Sequence, residues 1–118
     1  MPGYRDLKVW QESMSLAEEV YRFSSKFPKH ETYGLASQLQ RSAVSLPSNI
    51  AEGHGRNTAN EFNHFLGIAL GSLAELETQL ILAQHLKYLT EEEVGSSLKK
   101  ADEIGKMLKG LQKSLTND

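Results

Sequence analysis

Lys99, Lys106, Lys109 and Lys113 share one face of a helical wheel near the C-terminus, interrupted by Asp102. Ammonium groups in such a row can engage the phosphates of RNA or DNA, reading the backbone and not the bases. An ordinary solvated helix face looks the same. The formal net charge is −2, so phosphate binding would need this local patch repeated around an assembly. Arg56 is a further candidate. It closes Gly53-His54-Gly55-Arg56, ahead of a helix whose N-terminus would attract anions. A glycine-ended helix followed by a tight connection explains that segment more simply.

Metal and catalytic chemistry find little support. Four-helix di-iron sites need Glu-x-x-His from two helices plus two further glutamates. Only Glu61-x-x-His64 matches, and His64 lies nearly opposite the core face of its helix. His30, His54 and His85 show no ligand spacing, and there is no cysteine. No Gly-rich phosphate loop follows a strand, since no strand pattern exists. The expectation is a protein without cofactor, metal or catalytic residues.

Helical periodicity positions these residues. A first helix is predicted from about Asp6, as N-cap, to Phe27, stopped by Pro28. A second runs from about Thr32 to Glu52 and ends at Gly53. A third opens on the capping box Thr58–Glu61 and reaches about Lys87; a fourth opens on Thr90–Glu93 and reaches about Leu115. Short connections make neighbours antiparallel. The fold class is therefore all-α: an up-down four-helix bundle, a single domain over residues 1–118. Apolar content of 39% with 24% charged residues fits a globular chain of this kind. No signal-peptide-like run and no stretch near the ~20 apolar residues of a membrane span is read. With no cysteine, a cytoplasmic protein without membrane contact is expected.

Some faces are wider than one core requires. On the first helix Leu7, Trp10, Met14, Ala17 and Tyr21 form one stripe, and Val9, Leu16, Val20, Phe23 and Phe27 form another. Either a bulky helix fills a large core, or one stripe meets a second protomer. On the third helix Ile68, Leu82 and Leu86 lie outside the core face. Gly67 and Gly71 head a row of small residues with Ala74 and Thr78. Glycine costs about 1 kcal/mol against alanine within a helix, so this pair predicts close backbone approach. Glu77 sits among Leu66, Leu70 and Leu73. It either reaches out to water or joins a polar network with Arg41 or Asn49. On the second helix Arg41, Ser45, Ser48 and Glu52 form a face suited to a partner helix more than to a ligand. Pro47 lies inside that helix, at a penalty of ~3 kcal/mol, which predicts a kink held by packing.

These residues also carry a resemblance. Tyr4-Arg5-Asp6-Leu7-Lys8-Val9-Trp10 comes first. Arg41, Ser45, Pro47-Ser48-Asn49-Ile50-Ala51-Glu52-Gly53 and Arg56 follow. Phe65-Leu66, Ala69, Gly71-Ser72-Leu73, Glu75-Leu76-Glu77 and Leu80 complete the set. In this order they resemble the four-helix-bundle family named for the 23S ribosomal RNA intervening-sequence protein. The resemblance implies a left-handed up-down bundle assembling into a ring, a homopentamer. It implies an accessory or scaffolding role in contact with RNA or DNA. A related branch serves diversity-generating retroelements and adds a reverse transcriptase as a protein partner. A structural or protein-interaction module without nucleic-acid affinity is the alternative.

Overall fold

Two threonines fix where the two longest helices begin. At α4 (Glu91–Thr116) the capping box is reciprocal. Glu93 N donates to Thr90 Oγ1 at 3.1 Å and Thr90 N donates to the Glu93 carboxylate at 2.9 Å. At α3 (Ala59–His85) half of the box forms. Glu61 N donates to Thr58 Oγ1 at 3.1 Å, but the Glu61 carboxylate accepts from the Thr58 hydroxyl at 3.0 Å.

The computed structural model describes residues 3–116, and every regular element among them is helical. Before α3 come a 3-10 turn at Tyr4–Asp6, α1 (Lys8–Ser24), a second 3-10 turn at Lys29–Glu31, and α2 (Leu35–His54). The four-helix, all-α expectation holds, with α1 ending at Ser24 instead of about Phe27 and three further corrections at helix ends. Asp6 is not the N-cap of α1. Its carboxylate accepts from Gly3 N at 3.1 Å within the preceding turn, and Leu7 occupies the cap. Next, α2 starts at Leu35 and not Thr32, because the chain first makes the 3-10 turn. The Glu31 carboxylate accepts from Leu35 N at 3.0 Å and from the Tyr88 hydroxyl at 2.8 Å. Those two bonds, the backbone one foremost, hold Glu31 below the usual carboxylate range.

The third correction concerns Gly53, which does not end α2 but lies inside it, buried. A Cβ there would stand 2.6 Å from Phe65 Cβ and 3.3 Å from the Phe62 carbonyl oxygen. Glycine is required by the approach of α3, not by helix termination. The helix continues through Pro47, whose ring is buried.

Cross-helix contacts run in opposite directions along each pair, which makes neighbours antiparallel. Between α2 and α3, Ser42 meets Gln79 and Ser45 meets Ser72. Between α1 and α4, Lys26 pairs with Glu93 and Glu19 with Lys100. Between α3 and α4, Gln112 Nε2 reaches the Asn63 carbonyl at 3.4 Å, and Gly105 sits against Leu73. The shared core is the second α1 stripe (Val9, Leu16, Val20) with Leu39, Leu46, Ile50, Leu66, Leu76, Leu80, Ile104 and Leu108.

Candidate functional site

Each of Lys99, Lys106, Lys109 and Lys113 is exposed, and none takes part in an ion pair among the described residues. The core side of α4 is Val94, Ser97, Ala101, Ile104 and Leu108, so the lysines project outward. They are not equivalent. Lys106 and Lys109 border a shallow depression between α3 and α4 that also holds Glu77 and Asp102. Burial first, and the Asp102 charge second, push the Glu77 carboxyl above its usual range. Beyond Glu103, Lys106, Lys109 and Lys113 are the only charged residues through Thr116. Acids in the first turn and a lysine in the last also suit the helix dipole.

Arg56 lies at the same end of the bundle as Lys113, but its guanidinium is engaged within the chain. It pairs with Glu52 at 3.2 Å and stands 4.7 Å from the centre of the Phe65 ring. Glu77 makes no hydrogen bond or ion pair with Arg41 or Asn49 among the described residues. Asn49 donates instead to the Ser45 carbonyl at 2.8 Å and the Ser45 hydroxyl at 3.0 Å. Ser45 in turn meets Ser72 at 2.8 Å, so at Ser45 the approaching helix is α3 of the same chain, while Ser48 and Glu52 are exposed. Arg41 is exposed.

The residues that sequence reasoning missed are Glu19, Ser97 and Lys100. Ser97 Oγ donates to one Glu19 oxygen at 2.7 Å and Lys100 Nζ to the other at 3.0 Å. Burial raises the Glu19 pKa, but the hydrogen bonds from Ser97 and Lys100 outweigh it and leave the carboxyl below its usual range. One signal was available. Ser97 interrupts the apolar spacing Val94, Ala101, Ile104, and a buried hydroxyl requires a partner.

The small-residue row of α3 finds no close neighbour inside the chain. Nothing lies within 4 Å of a Cβ built on Gly71, and only the end of Gln112 approaches Gly67. Gly67, Gly71, Ala74 and Thr78 are exposed, as are Ile68, Leu82 and Leu86. This helix contains an 18-residue window of mean hydropathy 1.4, apolar enough by length and composition to cross a membrane, which corrects the expectation that no such stretch exists. Only 33% of that window is buried within the chain. The first α1 stripe and α2 enclose a groove of about 580 Å³ lined by Trp10, Met14, Tyr21, Val44 and Pro47. No group of three or more His, Asp or Glu side chains among the described residues is placed to hold a metal ion.

A comparison with curated proteins finds no match. Among solved structures, the chain is similar to a protein of unknown function from the S23 ribosomal protein family of Bacteroides thetaiotaomicron. The two share 28% identity at a TM-score of 0.80, over 89% of this chain and 98% of that one. The family described as 23S rRNA-intervening sequence protein matches residues 5–110. Its match spans all of α1, α2 and α3 and most of α4, and the chain belongs to the 23S rRNA-intervening sequence protein family.

Proposed function

We propose that this protein is a non-enzymatic, cytoplasmic homo-oligomer, a ring of five subunits, that binds or scaffolds RNA or DNA. The observation that carries the reading is the outward face of α4, where Lys106, Lys109 and Lys113 stand exposed and without an ion-pair partner among the described residues, with no acidic residue between Glu103 and Thr116. Lys99 extends the row by one further heptad. Assembly multiplies that row, so a chain of net charge −2 presents an extended cationic surface to phosphate. Arg56 contributes less, because Glu52 already neutralises it.

Binding of this kind is insensitive to sequence and falls log-linearly as salt rises. The test is titration of single- and double-stranded RNA and DNA at several salt concentrations, with the wild type and a variant carrying glutamine at all four lysines. Lost affinity in a variant that stays assembled supports the reading. Absence of wild-type binding at low salt favours the second reading, a structural module that contacts only proteins, a reverse transcriptase among them. The exposed apolar residues of α3 favour that alternative.

A further inference from the structure

We propose that the outward face of α3 packs into the α1–α2 groove of a second copy of this chain, with Glu75 of one copy facing Arg41 of the other. The proposal rests on the assembly reading above and names the two surfaces that would meet. Among the described residues, seven of the eight exposed large hydrophobic residues fall on these two faces. Met14, Tyr21 and Val44 line the groove; Ile68, Ile81 and Leu82 lie on α3 with Leu86 at its C-cap, and of the eight only Tyr33 belongs to neither. α4 has none. Exposed large hydrophobic residues concentrated on two faces in this way mark an interaction site.

The two faces fit in form. Along α3, Ile68, Gly71, Glu75, Thr78 and Leu82 alternate at spacings of three and four, the seam of a helix that lies against others. The glycine and threonine positions let the backbone sit low. Met14 and Tyr21 form one wall of the groove, Val44 and Ser48 the other, and Pro47 lies between them. Helices α1 and α2 thus present a channel for a third.

Charge makes the pairing specific. Between Ala59 and His85 there is no lysine or arginine, and Glu75 is the one carboxylate within the exposed seam. Arg41 stands one helical turn before Val44, exposed, bordering the continuation of the groove with Tyr21 and Val44. It has no ion-pair partner among the described residues. Glu18 on the α1 wall carries the same charge as Glu75, so the seam enters with Glu75 toward Arg41 and away from Glu18. Groove and seam are different surfaces of one chain, so the contact is head-to-tail and can close into a ring.

Light scattering after size exclusion of wild type, Val44→Asp and Leu82→Asp tests the surfaces. Each aspartate is expected to weaken association roughly 30-fold or more, with helicity unchanged because both side chains are exposed. A monomeric wild type at micromolar concentration overturns the proposal together with the assembly reading. An assembled wild type whose mass neither substitution alters overturns this interface alone. Glu75→Arg and Arg41→Glu test the charge pair, since in each variant alone like charges meet at every contact. Mixed in equal amounts, the two variants should reassociate to a mass above that of either alone, because each contact between unlike copies sets opposite charges against one another. A ring of five, being odd, still keeps at least one contact between like copies and should close less stably than the wild type. An effect inside one chain, where Arg41 and Glu75 also border a common depression, cannot be rescued by mixing. Dissociated variants that stay dissociated on mixing overturn the charge pairing.

Discussion

The α2–α3 seam and the α1–α4 seam close the same core with different chemistry. The first joins neutral groups. Ser45 meets Ser72, Ser42 meets Gln79, and Gly53 lets α3 come close enough that a methyl group would collide with Phe65. The second is ionic, with Glu19 held by Ser97 and Lys100, and Lys26 paired with Glu93 nearer the end. Small neutral groups permit backbone approach and leave nothing to titrate. An ion pair aligns two helices from further apart but depends on both charges being present. The first seam is therefore expected to be intolerant of volume and indifferent to pH, the second the reverse.

Gly53→Ala should break the neutral seam with the largest effect. Phe65 Cβ is anchored to its own backbone and cannot swing away, so α3 must shift. Overpacking of this kind destabilises by about 2–3 kcal/mol. Urea denaturation at fixed protein concentration measures it, since association adds stability of its own. A change below about 0.5 kcal/mol would mean that the seam relaxes freely and that the contrast in packing is unfounded.

Lys100→Met probes the ionic seam. It leaves Glu19, with its side chain only 12% exposed, without its cation. Because Lys100 itself is 29% exposed, the loss is well below that of a fully buried pair, about 1–2 kcal/mol at neutral pH. Adding Glu19→Gln should recover most of it. The pH dependence has a definite sign. In the wild type the depressed Glu19 pKa contributes stability above the unfolded value of about 4.3, lost as pH falls through the folded value. With Lys100 gone, only Ser97 and Arg22 oppose burial, so the folded pKa should rise toward the unfolded value and the stability that Glu19 loses on acidification should shrink. Denaturation from pH 7 to 3 checks the change in slope. Parallel profiles for the two proteins would show that Lys100 does not set the titration of Glu19.

Ser45→Ala should cost about 1 kcal/mol, leaving the Ser72 hydroxyl without this cross-helix partner. Ser72→Ala should cost a similar amount, and the double variant less than the sum. Neither loss should vary between pH 4 and 9. A cycle that is additive within about 0.3 kcal/mol would show that the hydroxyl contact does not hold the seam.

The difference between the seams also explains what the sequence makes legible. Thr58, Thr90 and Pro28 act on their immediate neighbours, so helix existence and order can be read from spacing. The core face of α3 follows from periodicity alone. Gly53 reads as a terminator because glycine ends helices more often than it admits a neighbour, and the distance to Phe65 is a tertiary fact. Glu19 and Lys100 lie 81 positions apart, and no wheel of either helix reveals that they meet. The outward direction of Lys99, Lys106, Lys109 and Lys113 is legible in the same way as the α4 core stripe. The Glu52–Arg56 pair has i,i+4 spacing and is legible too, whereas the Arg56–Phe65 contact is not, because it depends on where the Phe65 ring lies.

The smallest effect is expected where the two seams are joined, at the turn from α3 to α4. Lys87 adopts φ 65°, a left-handed conformation. Tyr88 N donates to the Ala83 carbonyl and Lys87 N to the Gln84 carbonyl, both at 2.9 Å, which completes the helix-ending motif that glycine favours. A side chain in that conformation costs roughly 1–2 kcal/mol, offset in part by the greater freedom glycine has in the unfolded chain. Lys87→Gly should therefore stabilise the protein by about 0.5–1 kcal/mol. Lys87→Ala separates backbone from charge: it removes the same ammonium yet keeps the strain, and should stay within about 0.5 kcal/mol of wild type. If alanine stabilised as much as glycine, the gain would come from the lost charge, and the turn would hold its conformation without strain. If glycine alone stabilises, the strain at Lys87 is real and separate from the chemistry of either seam.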